Sequence, residues 1–249
     1  MSRVTECWFK WGGINCETKG LSLMELPTRE TPAKSGQRVN VPGRSGYVWI
    51  PHGTAYDEIG ITMDCRTLDN ADRNVIDAWL LDGHEDWLIF SDEPAIAYRA
   101  QVLQKVPRSS LLVAHHYQRY PVTFVAQPWR YLWPQRSATT ITTSGGSVSN
   151  NGNAVSAPLI RVNCTGDVTV TVGTCVIGIT GGTVIIDSEL GICFEPDGIT
   201  LANNRVSLTG GQLDNGFPGL AAGTNYVSWE LETGATMTSV VITPRDRSI

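Results

Sequence analysis

Apolar and polar positions alternate with a period of two along most of this chain, and with a period near 3.6 over one short stretch. Ile59, Ile61, Met63 and Cys65 alternate with Gly60, Thr62, Asp64 and Arg66, which predicts a strand with one buried face. Val122, Phe124 and Ala126 repeat the pattern near the end of the first half, and Val168, Val170 and Val172 repeat it in the second, where Thr169 and Thr171 form a hydroxylated outer face. Further strands are predicted over Val4–Trp11, Leu21–Leu26, Arg38–Val41, Tyr47–Ile50, Trp87–Phe90, Ala97–Val106 and Leu111–Arg119. After Pro158 they follow at Leu159–Asn163, Asp167–Val172, Cys175–Thr180, Thr183–Asp187, Gly191–Glu195, Arg205–Leu208, Asn225–Leu231 and Met237–Thr243. Gly173-Thr174 and Gly181-Gly182 give the close spacing of consecutive hairpins in an all-β sandwich.

The single helical pattern runs from Asp69, a capping residue, to about Leu81, with Leu68, Ala71, Val75, Ala78 and Trp79 as its buried face. Gly83 ends it. Beyond Trp87–Phe90, Ser91-Asp-Glu-Pro94 reads as a turn whose acids stay solvated. Asp92 and Glu93 make a poor catalytic pair, because adjacent residues in extended chain point to opposite sides.

Between Pro27 and Gly46 the run is too polar to be buried in its own domain, so a long arm or hairpin reaching outward is expected there. Such an arm reads either as a mobile surface loop or as a contact to a neighbouring subunit; isolated hairpins are marginal in water, which favours the contact. Arg29, Arg38, Pro42, Gly43 and Arg44 are the candidate contacts of such an arm with a neighbouring subunit. Gln127-Pro-Trp-Arg-Tyr-Leu-Trp-Pro134 reads as a packed hinge rather than a sugar-stacking platform, since prolines hold the chain extended and aromatics bury large areas. Ser137–Ser156 has the composition of a linker, yet its β-branched Ala138–Thr143 predicts order.

Composition divides the chain into residues 1–133 and 134–249. Up to Arg136 there are 15 Lys+Arg and 15 Asp+Glu, leaving 4 and 9 of the 19 and 24 beyond it, so the parts carry 0 and −5. Seven of the eight tryptophans lie in the first part. The acidic balance and absence of a basic cluster argue against nucleic-acid binding. Nothing is apolar for long enough to insert in a membrane, and the start lacks a secretion signal, which points to folding in a cytoplasm. The six cysteines have no C-x-x-C spacing and read as buried free thiols; no metal set and no cofactor motif is found, His115-His116 falling on alternate sides of a strand.

Several pieces resemble one family. Trp79–Val102, Phe9-Lys-Trp-Gly-Gly-Ile14 with Lys19-Gly-Leu21, and Pro42-Gly-Arg-Ser-Gly46 resemble the N-terminal domain of the distal tail proteins of long non-contractile-tailed phages. Asp187-Ser188, Gly216-Phe-Pro-Gly-Leu220, Gly223-Thr-Asn225 and Pro244-Arg245 are similar to that family's C-terminal sandwich. The resemblance implies a mainly β protein: an N-terminal β-sandwich ring domain with one helix and an extended hairpin arm, then a galectin-like, carbohydrate-binding-module-like β-sandwich. It implies a hexameric ring at the virion tail tip, assembled in the host cytoplasm, with the tail tube protein on one face and a hub, tail-associated or fibre protein on the other. DNA would pass through the lumen without specific binding. The alternative is a glycan-binding baseplate protein whose second domain touches the host wall, with Tyr226, Asn203 and Arg205 as a weak ligand surface. Enzymatic activity is not expected, for there is no serine elbow, metal-ligand set or plausible carboxylate pair.

Overall fold

The computed structural model describes residues 7–68, 71–103 and 119–249. The chain divides into two compact units, residues 1–133 with Ile249, and residues 134–248. Both are built from antiparallel strands.

The first unit contains β1 (Phe9–Trp11), β2 (Ile14–Asn15), β3 (Leu21–Leu23), β4 (Lys34–Asn40), β5 (Tyr47–Tyr56), β6 (Ile59–Thr67), α1 (Arg73–Leu80), β7 (Asp86–Phe90), β8 (Ile96–Gln101), β9 (Arg119–Ala126) and β10 (Arg130–Leu132). Its sheet runs β2-β1-β7-β8-β9-β6-β3, with β10 also paired to β8. β6 behaves as its alternation predicts: Ile59, Ile61, Met63 and Cys65 are buried, while Gly60, Thr62 and Arg66 are exposed. The helix covers the buried face. Trp79 stacks on Phe9 with ring centres 6.0 Å apart and meets Trp11 edge-on, also at 6.0 Å.

The helix differs from the sequence expectation in start and in face. Asp69 lies outside the described residues, and the cap is Asp72, whose carboxylate accepts the Asn74 N–H at 2.9 Å. The buried residues are Ile76, Trp79 and Leu80, whereas Val75 is 47% exposed. With two turns only, the large Trp79 ring fixes the rotation and the smaller Val75 turns outward. Leu81 caps the end and Gly83, at φ 84°, turns the chain. The proposed strand over Leu111–Arg119, the break at Pro107 and the pair His115-His116 lie outside the described residues, apart from Arg119 itself.

The second unit contains β11 (Thr139–Ile141), β12 (Gly146–Asn150), β13 (Leu159–Thr165), β14 (Val168–Val172), β15 (Cys175–Ile179), β16 (Val184–Asp187), β17 (Ile192–Phe194), β18 (Val206–Thr209), β19 (Gly223–Leu231) and β20 (Thr236–Thr243). Two sheets, β11-β20-β13-β16-β17 and β12-β19-β14-β15-β18, share one core. Val168, Val170 and Val172 enter it from one sheet, Ile160, Val162, Val240 and Ile242 from the other. β12 is a strand that composition concealed: its Val148 and Asn150 are buried, and the Asn150 amide donates to the carbonyls of Ala154 and Leu220, both at 2.8 Å.

The aromatic stretch expected as a hinge is packed into the first unit. Tyr131 is buried on β10, Trp129 meets Tyr56 edge-on at 5.4 Å, and Trp133 meets Trp87 at 5.4 Å. The crossing to the second unit follows Trp133.

Candidate functional site: an uncovered hairpin

β4 and β5 pair with each other and, among the described residues, with no other strand. They form a hairpin outside the main sheet, longer than the polar run suggested because β5 continues to Tyr56. Arg38 stands opposite Trp49, Asn40 opposite Tyr47 and Gly36 opposite Pro51 on one face; Val39 faces Val48 and Gln37 faces Ile50 on the other. Among the described residues neither face is covered over Gln37–Ile50. Tyr47 is 51% exposed, Trp49 41%, Ile50 48% and, at the tip, Val41 42%. A strand pair normally buries one face; four large apolar side chains left in water on one element make it the candidate contact surface.

Local chemistry shapes the arm. Gly36 lies under the Trp49 indole, so closely that a Cβ there would come within 2.4 Å of the ring. The Arg38 guanidinium lies 5.0 Å over the Tyr47 ring and the Lys34 amine 5.4 Å over the Tyr56 ring. At the tip, Gly43 and Gly46 take φ 80° and 83°, and the Arg44 N–H donates to Val41 O at 3.2 Å. Residues 31–56 contain Lys34, Arg38 and Arg44 but no Asp or Glu, so the arm is a cationic segment of an otherwise acidic chain.

The sequence candidates separate in the structure. Pro42, Gly43 and Arg44 are at the exposed tip and Arg38 is on the aromatic face. Arg29 is different: it is spent within its own subunit. Its guanidinium lies 4.9 Å over Phe90 and forms two hydrogen bonds to Asp92, with Glu93 at 3.9 Å. Arg130 holds Glu93 in turn at 2.9 Å. The acidic turn is therefore not merely solvated, as the sequence suggested; it is the anchor of the segment leading into the arm. Hydrogen bonding from Arg29 outweighs burial and holds the Asp92 carboxyl below the usual carboxylate range. Sequence reasoning also omitted Tyr47, Trp49 and Ile50 from the candidates, although large aromatics in a segment without a core of its own are the residues that anchor interfaces.

In the second unit the three candidate ligand residues do not form one surface. Tyr226, 69% exposed, is on β19 with its carbonyl bonded to the Gly173 amide, at the β14–β15 turn. Arg205 lies beyond β14 and β15, level with Thr180 at the opposite end of those strands. It is engaged by Glu195 and by the backbone carbonyls of Thr180 and Gly182, and the Asn203 side-chain Oδ1 accepts the Cys193 N–H at 2.7 Å. Trp229 is half-buried against the core.

The cysteines are free thiols: Cys16, Cys65, Cys164, Cys175 and Cys193 are buried and Cys7 is half-buried. Burial pushes the Cys193 thiol up to about 11 and raises Cys65 further. Among the described residues no group of His, Cys, Asp and Glu could hold a metal ion, and no helix is long and apolar enough to cross a membrane.

No protein-family model matches the sequence and no curated protein matches it. The fold, however, has solved counterparts. The Dit protein (gp 19.1) of phage SPP1, described as a paradigm of the hub adsorption apparatus in phages infecting Gram-positive bacteria, superposes with a TM-score of 0.64 at 15% identity, over 98% of this chain and 99% of that one. A chain of the phage p2 baseplate, solved in its activated conformation with Sr, superposes with a TM-score of 0.51 at 6% identity, over 95% and 97%. Both units of this chain, in their order, thus have the distal tail fold.

Proposed function

We propose that this protein is a structural component of a phage tail tip, in which the first unit builds a ring and the β4–β5 arm closes each contact by packing on the neighbouring subunit. The observation that carries the reading is the arm itself: a hairpin with Tyr47, Trp49, Ile50 and Val41 exposed, which pairs with no other strand among the described residues. Fold similarity over nearly the whole chain to proteins of a hub adsorption apparatus and a baseplate supports the setting. A cyclic ring needs heterologous contacts that close after a fixed rotation, and a donated arm supplies such a contact. Six copies, one face on the tail tube and the other on the hub or a fibre protein, complete the proposal. The work done is assembly and load transfer rather than catalysis, and an acidic chain suits a lumen that passes DNA without holding it.

The test is an arm truncation. Gln37 and Ile50 are cross-strand partners and both carry a backbone N–H, so replacing Arg38–Trp49 by Asn-Gly closes the shortened hairpin with a two-residue turn and leaves the Arg29 anchor untouched. Rings in electron micrographs of the intact chain, and their loss in the truncated one at unchanged melting temperature, support the reading. Rings that persist after truncation exclude the arm as the closing element.

A further inference from the structure

The arm requires a receiving surface, and the charge distribution of the first unit indicates one. The outward side of β6 presents Gly60, Thr62 and Asp64, and the segment from Glu25 to Glu30 runs beside it. Together they enclose an open cleft of about 390 Å³ along the strand. Its floor has little side-chain bulk: nothing lies within 4 Å of the point where a Cβ on Gly60 would stand. Beside the cleft, Met24 is 57% exposed and Leu26 36%. β3, the strand leading into this segment, ends the sheet and pairs only with β6 among the described residues. An open cleft next to an open sheet edge fits an extended strand rather than a compact ligand.

Its charges are the complement of the arm's. Asp64 is held by Arg119 at 2.7 Å, but Glu25 and Glu30 make no ion pair among the described residues. On the arm, Lys34 and Arg38 lie over tyrosine rings and Arg44 is at the tip, with no carboxylate on the hairpin to meet them. Among the described residues the protomer therefore carries cations with no carboxylate partner on one element and acids with no cation partner, beside exposed apolar neighbours, on another.

We infer that the cleft along β6 receives the β4–β5 arm of a second copy of this chain, with Arg38 and Arg44 against Glu25 and Glu30, and Tyr47 and Trp49 against Met24 and Leu26. This rests on the ring reading above and names the surface that completes it. Arm and cleft are different patches of one molecule, so each copy gives one and receives one, which is the geometry of a ring. Electrostatic matching of this kind fixes register and excludes wrong docking.

The experiment uses the full chain with charges exchanged. Arg38→Glu with Arg44→Glu reverses the arm; Glu25→Lys with Glu30→Lys reverses the cleft; a fourth protein carries all four changes. Gly60→Leu fills the cleft floor at an exposed strand position. Assembly is followed by light scattering and electron microscopy, with melting temperature as the check on folding. Each reversed pair and Gly60→Leu are expected to weaken assembly more than about tenfold, since like charges brought together at an interface cost several kcal/mol. The fourfold variant is expected to recover assembly to within about threefold of the original. If cleft reversal and Gly60→Leu leave assembly unchanged while the truncated arm abolishes it, the arm docks elsewhere and this inference is overturned alone. If the truncated chain still assembles, the arm is excluded as the closing element and the inference falls with it; if the unaltered chain stays monomeric at every concentration and salt, the ring reading falls as well.

Discussion

Asp187 at the end of β16 and Arg245 just beyond β20 meet in a two-pronged ion pair, with Nη1 2.7 Å from Oδ1 and Nη2 2.9 Å from Oδ2. The Asp187 carboxylate also accepts the N–H groups of Glu189 and Leu190, which closes the β16–β17 turn. Arg245 adopts φ 49°, a left-handed conformation rare for a side-chain-bearing residue, and the pair holds it there. Both residues belong to sequence pieces that resemble the phage tail family, and the fold brings those pieces into contact.

Replacing Arg245 by Gln leaves a buried carboxylate without its counterion. Loss of about 3 kcal/mol from the second unit is expected, read as faster hydrogen exchange in β13 and β16. Burial alone would raise the Asp187 pKa, but the Arg245 hydrogen bonds and charge, with the two amides, hold the carboxyl below its usual range. Its folded value is thus the lower one. The pair's contribution is complete above the unfolded carboxylate value, near 4, and disappears as pH falls through the depressed folded value. Arg245→Gln should flatten that acid loss; an unchanged pH profile would show that Asp187 is not its source.

At the base of the arm, Arg29→Ala removes both hydrogen bonds to Asp92 and the cover over Phe90. A cost of about 1 kcal/mol is expected for this partly exposed pair, with faster exchange at residues 26–33 and no change in the second unit. Exchange unchanged there would mean that Pro27 and Pro32 hold the segment without it.

Asp72→Ala tests the helix start. Loss of the bond to the Asn74 N–H should cost about 1 kcal/mol and lower the melting temperature of the first unit, because α1 carries Trp79 onto Phe9 and Trp11. A melting temperature within error of the original would transfer the role of the cap to another residue.

Period-two alternation was legible wherever a strand has one wet face, as in β6, β9, β14 and β19, because burial on one side leaves a direct trace in residue type. The helix face was legible at Trp79 but not at its neighbours: Val75 and Ala78, expected inside, are exposed, while Ile76 and Leu80, which satisfy the spacing as well, are buried beside it. β12 was hidden because its inward residues include Asn150, a polar side chain buried by hydrogen bonds rather than by hydrophobicity. The arm was legible as a polar segment without a core, but its exposed aromatic face was not. Tyr47 and Trp49 look like ordinary strand residues until the register shows that no second layer covers them. Arg29 was grouped with the arm by proximity in sequence, whereas its contact with Asp92 spans 63 residues and leaves no local pattern.

Thiol labelling gives a test of the core. Under native conditions only the half-buried Cys7 among the six should react readily, since Cys16, Cys65, Cys164, Cys175 and Cys193 are buried and most are held as thiols by desolvation. All six should react after unfolding. Rapid native labelling at Cys193, whose thiol is pushed up to about 11, would show that β17 opens locally.

Gly36→Val tests whether the arm is independent of the core. Valine favours extended backbone, so propensity alone predicts a firmer strand. The site forbids it: a Cβ on residue 36 would come within 2.4 Å of the Trp49 ring and 2.7 Å of the Ile50 carbonyl oxygen, and while the ring can swing away the carbonyl belongs to the partner strand. The expected result is a displaced Trp49, seen as a red shift in its fluorescence in a background where the other tryptophans are silent, and weakened ring assembly. The main melting transition should move by no more than about 0.5 kcal/mol equivalent, because the hairpin pairs with no strand of the sheet that supplies most of the first unit's buried core. A large fall in that transition would mean that arm and core fold as one, and a hairpin that must be present for its own unit to fold would be a poor element to donate to a neighbour.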